Sequence, residues 1–460
     1  MTPTKGQPPV VTFAAPTTKY PPSHPKQQQL TDAIVNYIAA DLLPLSQVES
    51  AAFKHVLHVA DPRYQLPSRK HLSTKLLYDR QQQIDQRFRQ ELLQVPSVCL
   101  TVDLWSSRQM RSYMGVTAHY IHQWSLKHAM LACRRFPGSH TAEHIHELYV
   151  SLTDSYDISN KVSYVITDNA ANMKKAFSLP GFTSDPEPSD SDSECDSDSE
   201  CASDMCDPPS ADLLPKHLPC FIHSLQLCVH DGFKQAGSLS HTIAKASRIV
   251  SSVRRSTLAS DCLQEEGRLQ TACPTRWNSQ LSMIRSILSV PADKLSQACS
   301  THTLTQHDRN HLEDLVQILS PFEAATKMTQ QDQTVSSSIV LPTLRGLQTK
   351  LDRLSTKYHF SLLTTLRKSV NTRLTPYQQN HTYIMASILD PRFKLQWCPP
   401  QDQQNHRQTL LDHALSAVPH QSDTVADPSN EPPTKRHKPA AEDDLLDFLE
   451  TSFHLSPPAL

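Results

Sequence analysis

SVCLTVDLW (97–105), SYMGVTAHYI (112–121), WSLKHAMLACRRF (124–136), TAEHIHELYVSLTDSYD (141–157), KVSYVITDN (161–169) and AANMKKAF (170–177) follow one another with short connections. In the first three, apolar residues alternate with polar ones, which predicts consecutive strands. TAEHIHELYVSLTDSYD switches to helical spacing, with Thr141 as its expected cap. KVSYVITDN is β-branched and ends in polar residues, so it reads as a fourth strand, and AANMKKAF as a helix. Strand-strand-strand-helix-strand-helix is a mixed α/β order. Two aspartates stand at strand ends in it, Asp103 after VCLTV and Asp168 after VSYVIT. Carboxylates at the ends of neighbouring strands can converge on Mg²⁺, whose preferred ligands are hard oxygens. Asp168 could equally cap the helix after it, and Asp103 could turn the chain out of its strand.

Upstream, residues 28–95 place Ile34, Ile38 and Leu42, then Val48, Ala52, Val56 and Val59, at helical spacing, with Thr31 and Ser46 as expected caps and a third helix from Ser68. Residues 1–27, rich in Pro, Thr and Gln, read as a disordered lead. Downstream, DPEPSDSDSECDSDSECASDMCD (185–207) holds ten acids and no base, so 184–211 reads as a solvated acidic loop. Its serines suit an acid-directed kinase. LPCFIHS (218–224) then reads as a strand and LQLCVHDGF (225–233) as a helix. Residues 239–398 are helical in pattern, and 399–460 read as a disordered tail carrying a basic cluster, Lys435, Arg436 and Lys438, and the acidic-apolar segment EDDLLDFLE.

Composition narrows the function. The 460 residues carry a formal charge of −2, which becomes +8 without the acidic tract, so the remainder tolerates a polyanionic partner. Only 8 glycines occur, and no G-x-G-x-x-G or P-loop pattern. No run of 18 uncharged apolar residues would span a membrane, and residues 1–29 show no secretory h-region. Eleven irregularly spaced cysteines point to reduced thiols in cytosol or nucleus. Cys220, His223, Cys228 and His230 do not have a zinc-finger spacing, so structural zinc is not expected.

TVDLWSSRQMRSYMGVTAHYI, YVITDNAANMKKAF, LPCFIHSLQLCVHDGF, CPTRWNSQLSMI and YIMASILDPRFKLQW occur in that order, and together they resemble the hAT superfamily of DNA transposases, in its domesticated zinc finger BED domain-containing branch. The resemblance spans about residues 28–398. It implies an RNase H-like mixed sheet (96–183 and 212–238) interrupted by a mainly helical insertion domain (239–398), preceded by a small all-α module (28–95), with disordered ends. It also implies that Asp103 and Asp168 are the first two catalytic aspartates and that Cys220 and His223 lie near DNA. Trp277 would stand beside the active site, either stacking on a base or serving as a core aromatic.

The family's third acid, in a late Ser-x-x-Glu-Arg-type motif, has no match after Trp397, and neither does its dimerisation segment; no BED finger precedes the helical module. Two carboxylates hold two dications poorly, and Glu442, Asp443 or Asp444 lack a packed helix to position them. The expectation is therefore a nuclear DNA- or chromatin-binding regulator without catalysis and without a cofactor beyond residual Mg²⁺ at Asp103 and Asp168. The alternatives are an active metal-dependent transposase and a scaffold without DNA binding. Lys435, Arg436 and Lys438 would serve nuclear import. Absence of the late helix would bare one sheet face, to be covered by a partner or by the insertion.

Overall fold

A computed structural model describes residues 18–178, 215–235, 237–273, 276–299, 301–330 and 335–417, and the chain divides into two compact units, Met1–Val95 and Pro96–Leu460. The acidic tract, the basic cluster and EDDLLDFLE lie outside the described residues.

In the first unit, α1 (Pro25–Ala40), α2 (Ala51–Ala60) and α3 (Leu77–Gln94) surround a small core of Ile34, Val35, Ile38, Val48, Tyr64 and Leu72. Three expectations need correction. Residues 18–27 belong to this unit: Tyr20 is buried under the Arg63 guanidinium, and the Gln27 amide exchanges hydrogen bonds with the Gln65 backbone at 2.8 and 3.0 Å. Thr31 lies inside α1, whose cap is His24. Ser50, not Ser46, caps α2, because Leu45–Glu49 forms its own 3-10 turn; Val56 and Val59 consequently face outward.

The second unit is built on five strands, β1 (Val98–Ser106), β2 (Ser112–His122), β3 (Ser125–Arg135), β4 (Val162–Thr167) and β5 (Lys216–Pro219), in the order β3-β2-β1-β4-β5. β1, β2 and β3 form an antiparallel meander, and β4 and β5 continue from β1 in parallel. Alternation sorts the faces. Leu100, Val102, Val116, Ala118 and Val165 are buried on one face. There α4 (Ala142–Ser155), capped by Thr141 as expected, brings Leu148 and Leu152 against Met114 and Val116. The short α5 (Ala171–Ala176) ends at Phe177, which stacks on His217.

The opposite face carries Cys99, Thr101 and Asp103 on β1 and Tyr164 and Ile166 on β4. Phe221–Gln235 is one helix, α6, so the expected strand through residue 224 stops at Pro219. The signal was present: Phe221, Leu225, Cys228 and Val229 recur at helical spacing and all are buried. Beyond it run α7 (Gly237–Arg255), α8 (Trp277–Leu288), α9 (Gln306–Thr329), α10 (Val340–Arg353), α11 (Phe360–Gln379), α12 (His381–Leu389) and α13 (Pro400–Ala417), with short helical turns between. The last is a further correction, since Pro400–Ala417 is helical where a disordered tail was expected.

No packing boundary falls at residue 239. A continuous core joins Leu218, Phe221 and Leu225 to Ile249, Leu281, Phe322, Leu344, Leu366 and Trp397. The helices also close part of the sheet face expected to be bare. The Tyr164 hydroxyl lies 3.0 Å from that of Thr382, and Tyr377 donates to the Pro219 carbonyl at 3.1 Å. At β2 and β3 that face stays open, with Ile121 and Met130 exposed.

Candidate functional site

β1 and β4 run parallel with Thr101 opposite Ile166, so two residues further on Asp103 and Asp168 stand side by side on the same face; Asp168 follows the end of β4, whereas Asp103, expected at a strand end, lies within β1 and pairs with Gly115. Asp168 sits between β4 and α5 and accepts a hydrogen bond from the Ala170 N–H at 3.0 Å, the Asx turn that the capping alternative foresaw. The next residue is held firmly: the Asn169 amide donates to Ser224 at 2.8 Å, and Ser224 meets the Tyr377 hydroxyl at 2.9 Å. The Asn169 Oδ1 is buried without a partner.

Burial of its carboxyl pushes the Asp103 pKa up, and the neighbouring Asp168 charge pushes the same way; the Leu104 N–H and His223 oppose this. The folded state therefore holds this proton more tightly than the unfolded chain, and stability at this residue grows as pH falls through the raised pKa. Asp103→Asn should then leave thermal stability at pH 7 unchanged or slightly higher, and should flatten that acid-side gain. Thermal melts between pH 4 and 7 without divalent ions check this; a marked loss of stability at pH 7 would contradict it.

Cys220 and His223 open α6 beside the two aspartates. The Cys220 N–H donates to the Thr167 carbonyl at 2.7 Å, and its carbonyl accepts from Ser224 at 3.0 Å. Burial raises the Cys220 thiol pKa, with backbone N–H groups of His223 and Ile222 opposing and both aspartates adding to it. Asp103, Asp168, Cys220 and His223 thus gather at one end of the sheet. Trp277 is 7% exposed, packed at the start of α8 in the core that also holds Phe221 and Leu225 of α6, with an indole N–H that has no hydrogen-bond partner. Its burial matches the core alternative.

Cys228 and His230 sit in different environments on α6. Burial pushes the Cys228 thiol up to about 12, so it stays protonated in the core, while His230, two residues further along α6, is exposed. Among the described residues no group of three or more His, Cys, Asp or Glu side chains could hold a metal ion. For a hard dication the site offers two carboxylates, one oxygen of Asp168 already engaged by a backbone N–H.

Sequence reading missed the aromatic and basic part. Trp105 shares the face of Asp103, two residues along β1, is 39% exposed and stacks on Tyr113 across the strand pair (5.9 Å, 17°). Gly115, opposite Asp103, makes this possible, because a Cβ there would lie 2.7 Å from the indole. Arg135 stands opposite Tyr113 on β3, and Arg108 and Arg111 occupy the β1–β2 turn. These are three exposed guanidinium groups, and none forms an ion pair among the described residues; Arg134 belongs to the opposite face, beside Met114 and Leu148. The signal available was the i, i+2 placement of Trp105 and Asp103 on one strand face.

The sheet with its paired strand-end acids is an RNase-like domain: residues 101–179 match the ZBED1 RNase-like domain family. The chain is 23% identical over 423 residues to human zinc finger BED domain-containing protein 4, covering 85% of this chain and 33% of that protein. It is 28% identical over 251 residues to the Hobo transposase of Drosophila melanogaster, covering 53% and 32%. To the putative transcriptional regulator tpeD of Talaromyces stipitatus it is 21% identical over 414 residues, covering 80% and 44%. These likenesses make the chain similar to ZBED proteins and to hAT-type transposases, and support a transposon-derived origin for it. It spans about a third of the length of the first curated relatives it matches.

Proposed function

We propose that this chain is a domesticated, RNase H-like transposase derivative that binds DNA in the nucleus and acts in transcription regulation without cutting its target. The observation that carries the reading is the cluster of unpaired Arg108, Arg111 and Arg135 around the exposed Trp105, at the strand end where Asp103 and Asp168 emerge. Unpaired guanidinium groups suit phosphate oxygens, and an accessible indole suits a base or sugar face. Asp103 and Asp168, with His223 beside them, are the vestige of the catalytic set. Two carboxylates, one of them with its pKa raised by burial and by the neighbouring charge, would retain a single Mg²⁺ weakly and would not hold a reactive pair of dications.

The relatives support regulation by name alone, one being called a putative transcriptional regulator. Nuclear import through Lys435, Arg436 and Lys438, which lie outside the described residues, belongs to the same reading. A gel-shift salt titration on the full chain tests it. DNA binding that weakens linearly on a log–log plot against salt supports the reading. No detectable binding would favour a protein scaffold, and metal-dependent strand cleavage would favour a working nuclease.

A further inference from the structure

Away from the sheet, the first turn of α9 gathers histidines. Thr305 and Asp308 close a reciprocal capping box, with the Asp308 N–H donating to Thr305 at 3.1 Å and the Thr305 N–H to Asp308 at 2.9 Å. Lys245 braces Asp308 at 2.5 Å. This fixes the backbone from which His307 and His311 project, one turn apart on the same helix face. Their Nε2 atoms lie 3.1 Å apart, with ring centroids at 4.2 Å. The Tyr358 ring packs on both, 4.5 Å from His311 and 5.9 Å from His307. His359 is adjacent, but its Nε2 is engaged by the His311 carbonyl at 3.0 Å.

We propose that His307 and His311 form a two-imidazole site for a borderline divalent transition ion of the zinc class. Two imidazoles on tetrahedral zinc, with bonds of about 2.0–2.1 Å, hold their nitrogens about 3.3 Å apart, so the pair needs to open by only a few tenths of an ångström. Nitrogen donors of this kind select zinc, copper or nickel over Mg²⁺. No third protein ligand joins them among the described residues, so water completes the coordination and the ion exchanges readily. Bound there, it ties the first turn of α9 and adds stability by linkage.

The test must see one site among 24 histidines. The full chain, stripped of metal, is titrated with Zn²⁺ by calorimetry and with Cu²⁺ under electron paramagnetic resonance. Wild type is expected to bind one more equivalent than the His307→Ala, His311→Ala double variant, with a Kd below about 100 μM, and to show a two-nitrogen Cu²⁺ signal that the variant lacks. His307→Gln, a change at an exposed position, should lose the same equivalent while keeping the metal-free melting curve. His381→Ala, which disrupts another close histidine pair, with His413, should not. Equal stoichiometry and spectra in wild type and the His307 and His311 variants would reduce the pair to a shared hydrogen bond and overturn the proposal.

Discussion

Replacing Arg108, Arg111 and Arg135 together by alanine is expected to weaken DNA binding about 100-fold at ~0.15 M salt and to flatten the log–log salt slope by about 2.7. The estimate follows from three lost phosphate contacts, each releasing about 0.9 counterion equivalents on B-form DNA. The three side chains are exposed and unpaired among the described residues, so their removal should leave the fold unchanged; circular dichroism melts verify that. The corresponding lysine variants should restore most of the slope, since a point charge still meets phosphate, but less of the affinity, since the bidentate fork is lost. Wild-type affinity and slope in the alanine variant would place the DNA contacts elsewhere.

The second large effect is on stability. Gly232 lies on α6 where α11 crosses it, and a Cβ there would stand 2.8 Å from Leu366 Cδ2 and 2.9 Å from Leu362 Cδ1. The crossing is locked around it. Arg373 reaches Asp231 at 2.6 Å, Ser369 donates to the same carboxylate at 2.7 Å, and Ser224 meets Tyr377 at 2.9 Å. With both leucines buried and the helices clamped on either side, the added side chain has little room to push its neighbours aside. Gly232→Val is therefore expected to cost about 3 kcal/mol. For a unit of this size that lowers Tm by roughly 5–10 °C. Leu366→Ala introduced into the Gly232→Val chain should recover part of the loss, because the two changes share one volume and are not additive. Unchanged Tm in the single variant would mean that α6 and α11 are not held at this distance. Since α6 begins at the site, with His223 in its first turn, the same variant should also weaken DNA binding.

What could be read beforehand follows from how local each cause is. β1 was legible because Val98, Leu100 and Val102 alternate with less apolar residues, and β4 because its β-branched run ends in Asp168; β1 itself runs on past Asp103 to Ser106. The cap at Thr141 was legible because a hydroxyl directly precedes an apolar period. The Asp103–Asp168 pairing needed only that the two strands be neighbours. The start of α1 was obscured by Pro25, which suits a helix's first position but lies in a Pro- and Gln-rich stretch. Ser46 and Ser50 both resemble caps, and only the packing of Val48 into the core separates them. Trp105 and the arginines gave no periodic signal; their meeting depends on β2–β3 register and on a glycine opposite Asp103. Trp277 shows the converse, a motif residue whose burial becomes visible only once the helical core is assembled.

The most direct test of the account is a strand-cleavage assay on duplex DNA that the protein demonstrably binds, with Mg²⁺ or Mn²⁺, comparing wild type with Asp103→Asn. The account predicts intact DNA with both proteins at every metal concentration. Metal-dependent cleavage by wild type that Asp103→Asn abolishes would contradict it.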